Sequence, residues 1–281
     1  YETFIAAVAG VISKIKIIHI HGGELTFGSR DDLYRHAITK MANYHFVSTE
    51  SYKKRLRQIG ENKNNIFKVG ALCNDNIKKI KTVNKNSLEK ILKNNFFDKN
   101  ILVSIHPDTQ SKKRNIIEIN KIFKIFSKFK NCKFFFSAPN SDENSEDIII
   151  KIKTFCKKNK NTFYKASFGH ELFLKLIKRC DLVIGNSSSG IIEAPLLGTP
   201  SINIGDRQKG RVRAVNTYDC KIDQNKMIYL MKKILRNKRK KFNLQKNPYY
   251  GNNVSNKIYK ILNKINFNNL NHKYFRDIKF Q

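Results

Sequence analysis

Several kinds of chemistry are missing from this chain of 281 residues. Its five cysteines, Cys73, Cys132, Cys156, Cys180 and Cys220, are scattered, odd in number and never spaced C-x-x-C, which fits a reducing, cytoplasmic setting better than a disulfide framework. No H-E-x-x-H or paired-cysteine grouping occurs, so neither a metal nor another cofactor is expected. The dinucleotide fingerprint G-x-G-x-x-G is absent as well. No apolar run is long enough to cross a bilayer, and no membrane partner is expected. Acidic residues number only 22 against 55 lysines and arginines, leaving a net charge of +33. Such an excess ordinarily suggests a polyanion. Here the lysines alternate with asparagine and isoleucine over residues 78 to 99 and 232 to 246, a pattern of solvated faces. Arginines are few, so no specific nucleic-acid partner is expected, although nonspecific sticking at low salt is.

What is present is a repeated βα alternation. Residues 1 to 9 read as a helix with no strand before it; 15 to 21 as a strand ending in Gly22, Gly23 and Glu24; and Asp31 and Asp32 as a helix start. A strand over 44 to 48, a basic helix over 50 to 59 and a strand over 66 to 69 follow. The stretch from 74 to 100 is asparagine-rich and reads as a linker with one modest helix around Leu88, Ile91 and Leu92. A second alternation places strands at 101 to 105, 132 to 137, 162 to 166, 182 to 184 and 201 to 204, separated by helices, with terminal helices at 224 to 237 and 253 to 266. The expected fold is therefore α/β, with parallel sheets and right-handed crossovers. The expected domains are 1–85, an incomplete first unit lacking its opening half; 86–250, a second and complete unit; and 251–281, a C-terminal helix and tail.

The stretch around which the rest is organised is LVIGNSSSGIIEAPLLGTPSINIGDRQKGRVR, residues 182 to 213. An apolar strand stops at Gly185 and gives way to Ser187, Ser188, Ser189 and Gly190, where a helix start leaves amides unpaired. Such a bend either caps a core helix or cradles an anion such as a phosphate. Glu193 falls one turn on and could reach a ribose diol. After the next strand, Arg207, Lys209, Arg211 and Arg213 share the strand-end edge with the serines, where open α/β sheets bind ligands. Two further polar clusters end strands: His19, His21 and Glu24 with Asp31 nearby, and His106-Pro107-Asp108-Thr109. His19 and His21 could each be structural or ligand-facing. His106, between an apolar strand and a proline, is the better placed for a ligand.

Taken together, HIHGGE at 19 to 24, DDLYRHAITKMANYHFVSTE at 31 to 50, VGAL at 69 to 72, IHPDT at 105 to 109 and GNSSSGIIEAPLLGTPSINIGDRQKGR at 185 to 211 resemble the UDP-N-acetylglucosamine 2-epimerase family, in its hydrolysing branch. That resemblance implies two Rossmann-like domains of the glycosyltransferase-B type with the active site between them. It implies UDP held by Ser187, Ser188, Ser189, Gly190, Glu193 and Arg207, with His106 near the diphosphate and sugar, and with Glu24, Asp31 and His21 handling protons. It also implies a homodimer. The family's Gly-Asp-Arg segment before the position of Tyr1 has no match here, and Pro248-Tyr249-Tyr250-Gly251-Asn252 stands where relatives tend to have an aspartate-containing glycine turn. The implied reaction is conversion of UDP-N-acetylglucosamine and water to N-acetylmannosamine and UDP. The alternatives are a UDP-diacetamido-trideoxyhexose substrate, a non-hydrolysing epimerase, a UDP-sugar glycosyltransferase, or a polyanion-binding module without catalysis.

Overall fold

Apolar runs rich in β-branched and aromatic residues, broken by amphipathic stretches, build two parallel sheets in the computed structural model, which describes residues 1–80, 84–107, 112–140, 145–237, 242–267 and 273–277. Asp108 and Thr109 of the IHPDT motif lie outside the described residues. The first sheet lines up β1 (Ile18–Ile20), β2 (Tyr44–Val47) and β3 (Ile66–Lys68) in that order. Helices α1 (Glu2–Ile12), α2 (Asp31–Met41) and α3 (Glu50–Gln58) accompany it. Thr49 caps α3 by accepting a hydrogen bond from the Tyr52 amide.

The second sheet contains β4 (Lys99–Ser104), β5 (Cys132–Ser137), β6 (Thr162–Lys165), β7 (Leu182–Gly185), β8 (Ser201–Ile204) and β9 (Thr217–Cys220) in the order β6-β5-β4-β7-β8-β9. All neighbours are parallel. Both faces are covered, which is why β4, β5 and β7 read as continuous apolar runs rather than alternating ones. Ile101, Val103, Phe134, Phe136 and Ile184 pack with α6 (Lys112–Phe126), α7 (Ser145–Lys158) and α10 (Gln224–Arg236) on one face. Leu102, Phe135 and Val183 pack on the other with α5 (Lys85–Leu92) and α8 (Gly169–Arg179).

The structure departs from the sequence reading in three places. The asparagine-rich stretch contains two helices, not one: α4 (Cys73–Lys79) precedes α5 and is fastened by Asn74, whose side-chain amide donates to the Ala71 and Tyr249 carbonyls. Strand β9 was not expected, because only Cys220 of TYDC is buried and Asp219 turns outward to Asn203 and Arg213. The helix after the serines starts later than expected: a 3-10 turn over Ser188–Gly190 leads into α9 (Glu193–Leu196), so Glu193 opens the helix instead of lying one turn inside it.

The chain then returns to the first sheet. Val254 and Ile258 of α11 (Val254–Leu262) pack against Phe46 and Val69. Gly70 and Gly251 meet backbone to backbone at this return; a Cβ on Gly70 would lie 2.6 Å from the Gly251 Cα. Among the described residues, no helix is long and apolar enough to cross a membrane.

Candidate active site

In sequence order the strands of the second sheet run third, second, first, fourth, fifth, sixth, and the order reverses between β4 and β7. Ligands of open α/β sheets bind outside the carboxyl ends of the strands at such a switch point. Gly185 is required there: with φ at +148° and a hypothetical Cβ only 1.9 Å from the Ser104 carbonyl oxygen, no other residue fits. Asn186 follows and grips the backbone of His106 from both sides, accepting from its amide at 2.7 Å and donating to its carbonyl at 2.8 Å. The His106 Nδ1 accepts from the Asn140 amide at 3.0 Å, leaving the ring proton on Nε2. Burial, with Arg207 adding to it, drives the His106 pKa down to about 4, so this imidazole is neutral near pH 7. Arg207 donates to the Asn186 carbonyl at 3.3 Å, and Gln208 to the same oxygen at 3.1 Å.

The serine bend is partly self-contained. The Ser187 hydroxyl accepts from the Ser189 hydroxyl at 2.9 Å and from its amide at 3.4 Å, while Ser201 donates to the Gly190 carbonyl. Of the three serines, Ser188 is the one that lines the space between the lobes. Because α9 is so short, its dipole is small, and the donors at this bend are individual hydroxyls and amides. Glu193 lies beside Ser188 with its Oε2 buried and unpartnered. Burial raises its pKa above the usual carboxylate value, against the pull of Arg211, His21 and His170.

From the other lobe, β1 ends at Ile20, and His21 takes the left-handed conformation at φ +65°. Its Nε2 accepts from the Leu72 amide at 3.5 Å, so Nδ1 carries the proton toward Glu24 Oε1, 3.1 Å away. Glu24 is 3% exposed, and Arg211 reaches across to its second oxygen at 2.6 Å. Burial pushes the Glu24 pKa up, but the His21 hydrogen bond and the charges of Arg211 and Arg35 outweigh it, and the carboxylate is held below its ordinary value. Asp31 is exposed at the start of α2. Its neighbour Asp32 is occupied, accepting from the Thr26 amide at 2.6 Å and from Arg35 at 3.3 Å. The His19 Nδ1 meets the Thr39 hydroxyl at 3.2 Å, and burial drives its pKa to about 3.

Two cavities flank the bend. One, of about 440 Å³, brings together His21, Glu24, Asp31, Ser188, Glu193 and Arg211 from both lobes. The other, of about 380 Å³, holds His106, Asn186 and Arg207 opposite Gly28. Ser187, Ser189 and Gly190 line neither. Arg211 and Asn186 are the residues the sequence reading left outside its site set. The spacing R-Q-K-G-R pointed to the arginine, whereas an asparagine between a glycine and three serines carries no comparable signal. Among the described residues, no three histidine, cysteine or carboxylate side chains are grouped to hold a metal.

Two parallel-sheet lobes with an ionic cleft between them define an α/β protein of the glycosyltransferase-B type. Solved structures of this shape include the UDP-GlcNAc 2-epimerase of Methanocaldococcus jannaschii in complex with UDP-GlcNAc and UDP, with TM-score 0.74 and 23% identity over 92% of this chain and 71% of that one. That of Neisseria meningitidis bound to UDP-GlcNAc gives TM-score 0.75 and 20% identity over 94% of this chain and 74% of that one. A sequence model of the family described as UDP-N-acetylglucosamine 2-epimerase matches residues 1–263, and the chain belongs to that family. Among its relatives is the GDP/UDP-N,N'-diacetylbacillosamine 2-epimerase (hydrolyzing) of Campylobacter jejuni, 41% identical over 79% of this chain and 58% of the relative. Another is the polysialic acid biosynthesis protein P7 of Escherichia coli, 38% identical over 99% of this chain and 71% of the relative. The chain thus spans between about half and three quarters of the length of these relatives.

Proposed function

We propose that the protein is a hydrolysing 2-epimerase of a UDP-2-acetamido sugar, with UDP-N-acetylglucosamine as substrate and N-acetylmannosamine and UDP as products. The observation that carries this reading is the buried Glu24 carboxylate, paired with His21 and Arg211 and facing Ser188 and Glu193 across one cavity. Glu24 is ionised at neutral pH and so able to accept a carbon-bound proton, while its ion pairs make it a weaker base than a free carboxylate. In the proposed reaction the C2 proton passes to a base of the first lobe while the C1–O bond to UDP breaks, forming a C1–C2 double bond. Water then adds its oxygen to C1, and a proton returns to C2 on the opposite face. The departing diphosphate gains negative charge, and Ser188, nearby amides and Arg207 would stabilise that charge more in the transition state than in the bound substrate. Neutral His106 would donate its Nε2 proton rather than supply charge. Glu193, protonated more readily than an ordinary carboxyl, has a free oxygen to offer a ribose hydroxyl.

A second reading keeps the reaction and changes the sugar to UDP-N,N'-diacetylbacillosamine. It is favoured by the Campylobacter relative and by the apolar side of the cavity, where Phe4, Ile20, Ile38 and Ile192 would accept a sugar lacking a hydroxyl at C6. Incubating the intact protein with each UDP-sugar in deuterated water tests both. The expected result is a free 2-epimerised sugar carrying deuterium at C2, seen by NMR; transfer to an acceptor with C2 untouched, or no consumption of either sugar, overturns the proposal.

A further inference from the structure

Tyr52 and Tyr249 are both fully buried and close a ring of hydrogen bonds with one residue of the second lobe, Val212. The Val212 amide donates to the Tyr52 oxygen at 3.1 Å, and the Tyr249 hydroxyl donates to the Val212 carbonyl at 2.9 Å. The two phenol oxygens are 2.8 Å apart. Since Tyr249 has spent its only proton on Val212, Tyr52 must donate to Tyr249, and every donor in the ring is used once. The residue before Val212 is Arg211. Tyr52 also bounds the other partner of the ion pair: a Cβ on Gly23 would lie 2.7 Å from the Tyr52 carbonyl oxygen and 3.2 Å from its Cβ, and the residue after Gly23 is Glu24. Arg55, one turn along α3, donates to the Gly23 carbonyl. One tyrosine therefore abuts the neighbours of both charges.

We infer that Tyr52 and Tyr249 are positioning residues that set Arg211 against Glu24, so that the ionisation of the cleft carboxylate depends on two hydroxyls that never touch the cleft. The inference deepens the reading of Glu24 as a proton-handling group and rests on it for its catalytic meaning, though not for its structural one. Both tyrosines bond Val212, one at its amide and one at its carbonyl, and Val212 directly follows Arg211. The groups facing Glu24 are His21 on its own loop, His19 on β1, Arg35 on α2, Tyr52 on α3, Cys73 on α4, Tyr249 and Arg211. Of these, His21, Arg211 and Arg35 oppose the effect of burial on the carboxylate, and only Arg211 comes from the other lobe.

The test follows the Glu24 carboxyl carbon by NMR in ligand-free intact protein, with the resonance assigned by its loss in Glu24→Gln. Tyr249→Phe and Tyr52→Phe are each expected to raise the Glu24 pKa by about half a unit or more, because a looser Arg211 lets burial prevail. The same substitutions are expected to move the acid limb of kcat/KM upward by the same interval, while its plateau near neutral pH, where Glu24 is ionised in either case, stays within about twofold. In an Arg211→Ala background neither substitution should move the titration further. An unchanged Glu24 titration in a folded variant, whatever its melting temperature, overturns the inference, and so does an equal shift without Arg211. Either variant alone suffices if the other does not fold. A parent protein that turns over neither UDP-sugar would count against the proposed function while leaving the NMR result to decide the role of the tyrosines.

Discussion

Arg211 of the second lobe meets Glu24 of the first at 2.6 Å, with the arginine side chain 10% and the glutamate side chain 4% exposed. Desolvation makes a pair of this kind costly to break from one side. Arg211→Ala is expected to destabilise the protein by about 3 kcal/mol, read from chemical denaturation, because it leaves a buried carboxylate with His21, Arg35 and the Ser48 hydroxyl but without its cross-lobe cation. Glu24→Gln, which keeps the shape and removes the charge, is expected to lower kcat by about 10² to 10⁴ while UDP affinity stays within about twofold. Retention of full turnover by Glu24→Gln would assign the proton transfer to another group.

Ser188→Ala and Glu193→Ala address the nucleotide. Each is expected to weaken UDP binding by about 1 to 3 kcal/mol in calorimetric titration, the range for removing a buried hydrogen-bonding group. Affinity unchanged in both would place the nucleotide elsewhere.

Buried neutral histidines give the fold a pH dependence with a fixed sign. His106 at about 4 and His19 at about 3 are depressed from 6.5, so between these values and 6.5 the unfolded chain binds more protons than the folded one. Stability then rises with pH across that window, by about 1.4 kcal/mol per pH unit for each proton at full effect. Their contribution is present above pH 6.5 and lost as the pH falls toward 4 and then 3. Unfolding free energy measured from pH 7 to pH 4 should decline, and His106→Asn should flatten the decline; a pH-independent profile would show that these rings are solvated.

Gly28 tests the fit of the lobes. A Cβ there would lie 2.7 Å from the Arg207 Cα and 3.0 Å from the Asp206 carbonyl oxygen. Gly28→Ala should part the two loops, cost about 1 to 3 kcal/mol of stability and raise KM for the UDP-sugar. An alanine variant with parental stability and KM would mean that the loops separate freely.

Much of the fold was legible because its signals are local. Five-residue apolar strands such as 101 to 105 could only be buried on both faces, and Gly185 and Gly190 bracketed the hydroxyl-rich bend. What escaped depends on distant partners. Helix α4 is held by Asn74 bonding to Tyr249, 175 positions away, and the edge strand β9 has too little apolar surface to announce itself. The site divided in the same way. Its histidines, serines and carboxylates could be listed from strand ends, but their sorting into two cavities, with His106 and Arg207 apart from Glu24 and Glu193, depends on how the two lobes meet.

The chain passes between the lobes twice, and the outgoing and returning segments are zipped together. The Ala71 amide donates to the Tyr249 carbonyl, Asp75 accepts from the amides of Val254 and Ser255, and Gly70 touches Gly251. Two tethers fastened side by side behave as one pivot: they permit rotation about their common seam and resist sliding or twisting. A cleft hinged at such a seam would open by swinging about it, with the Glu24–Arg211 pair on the side that parts.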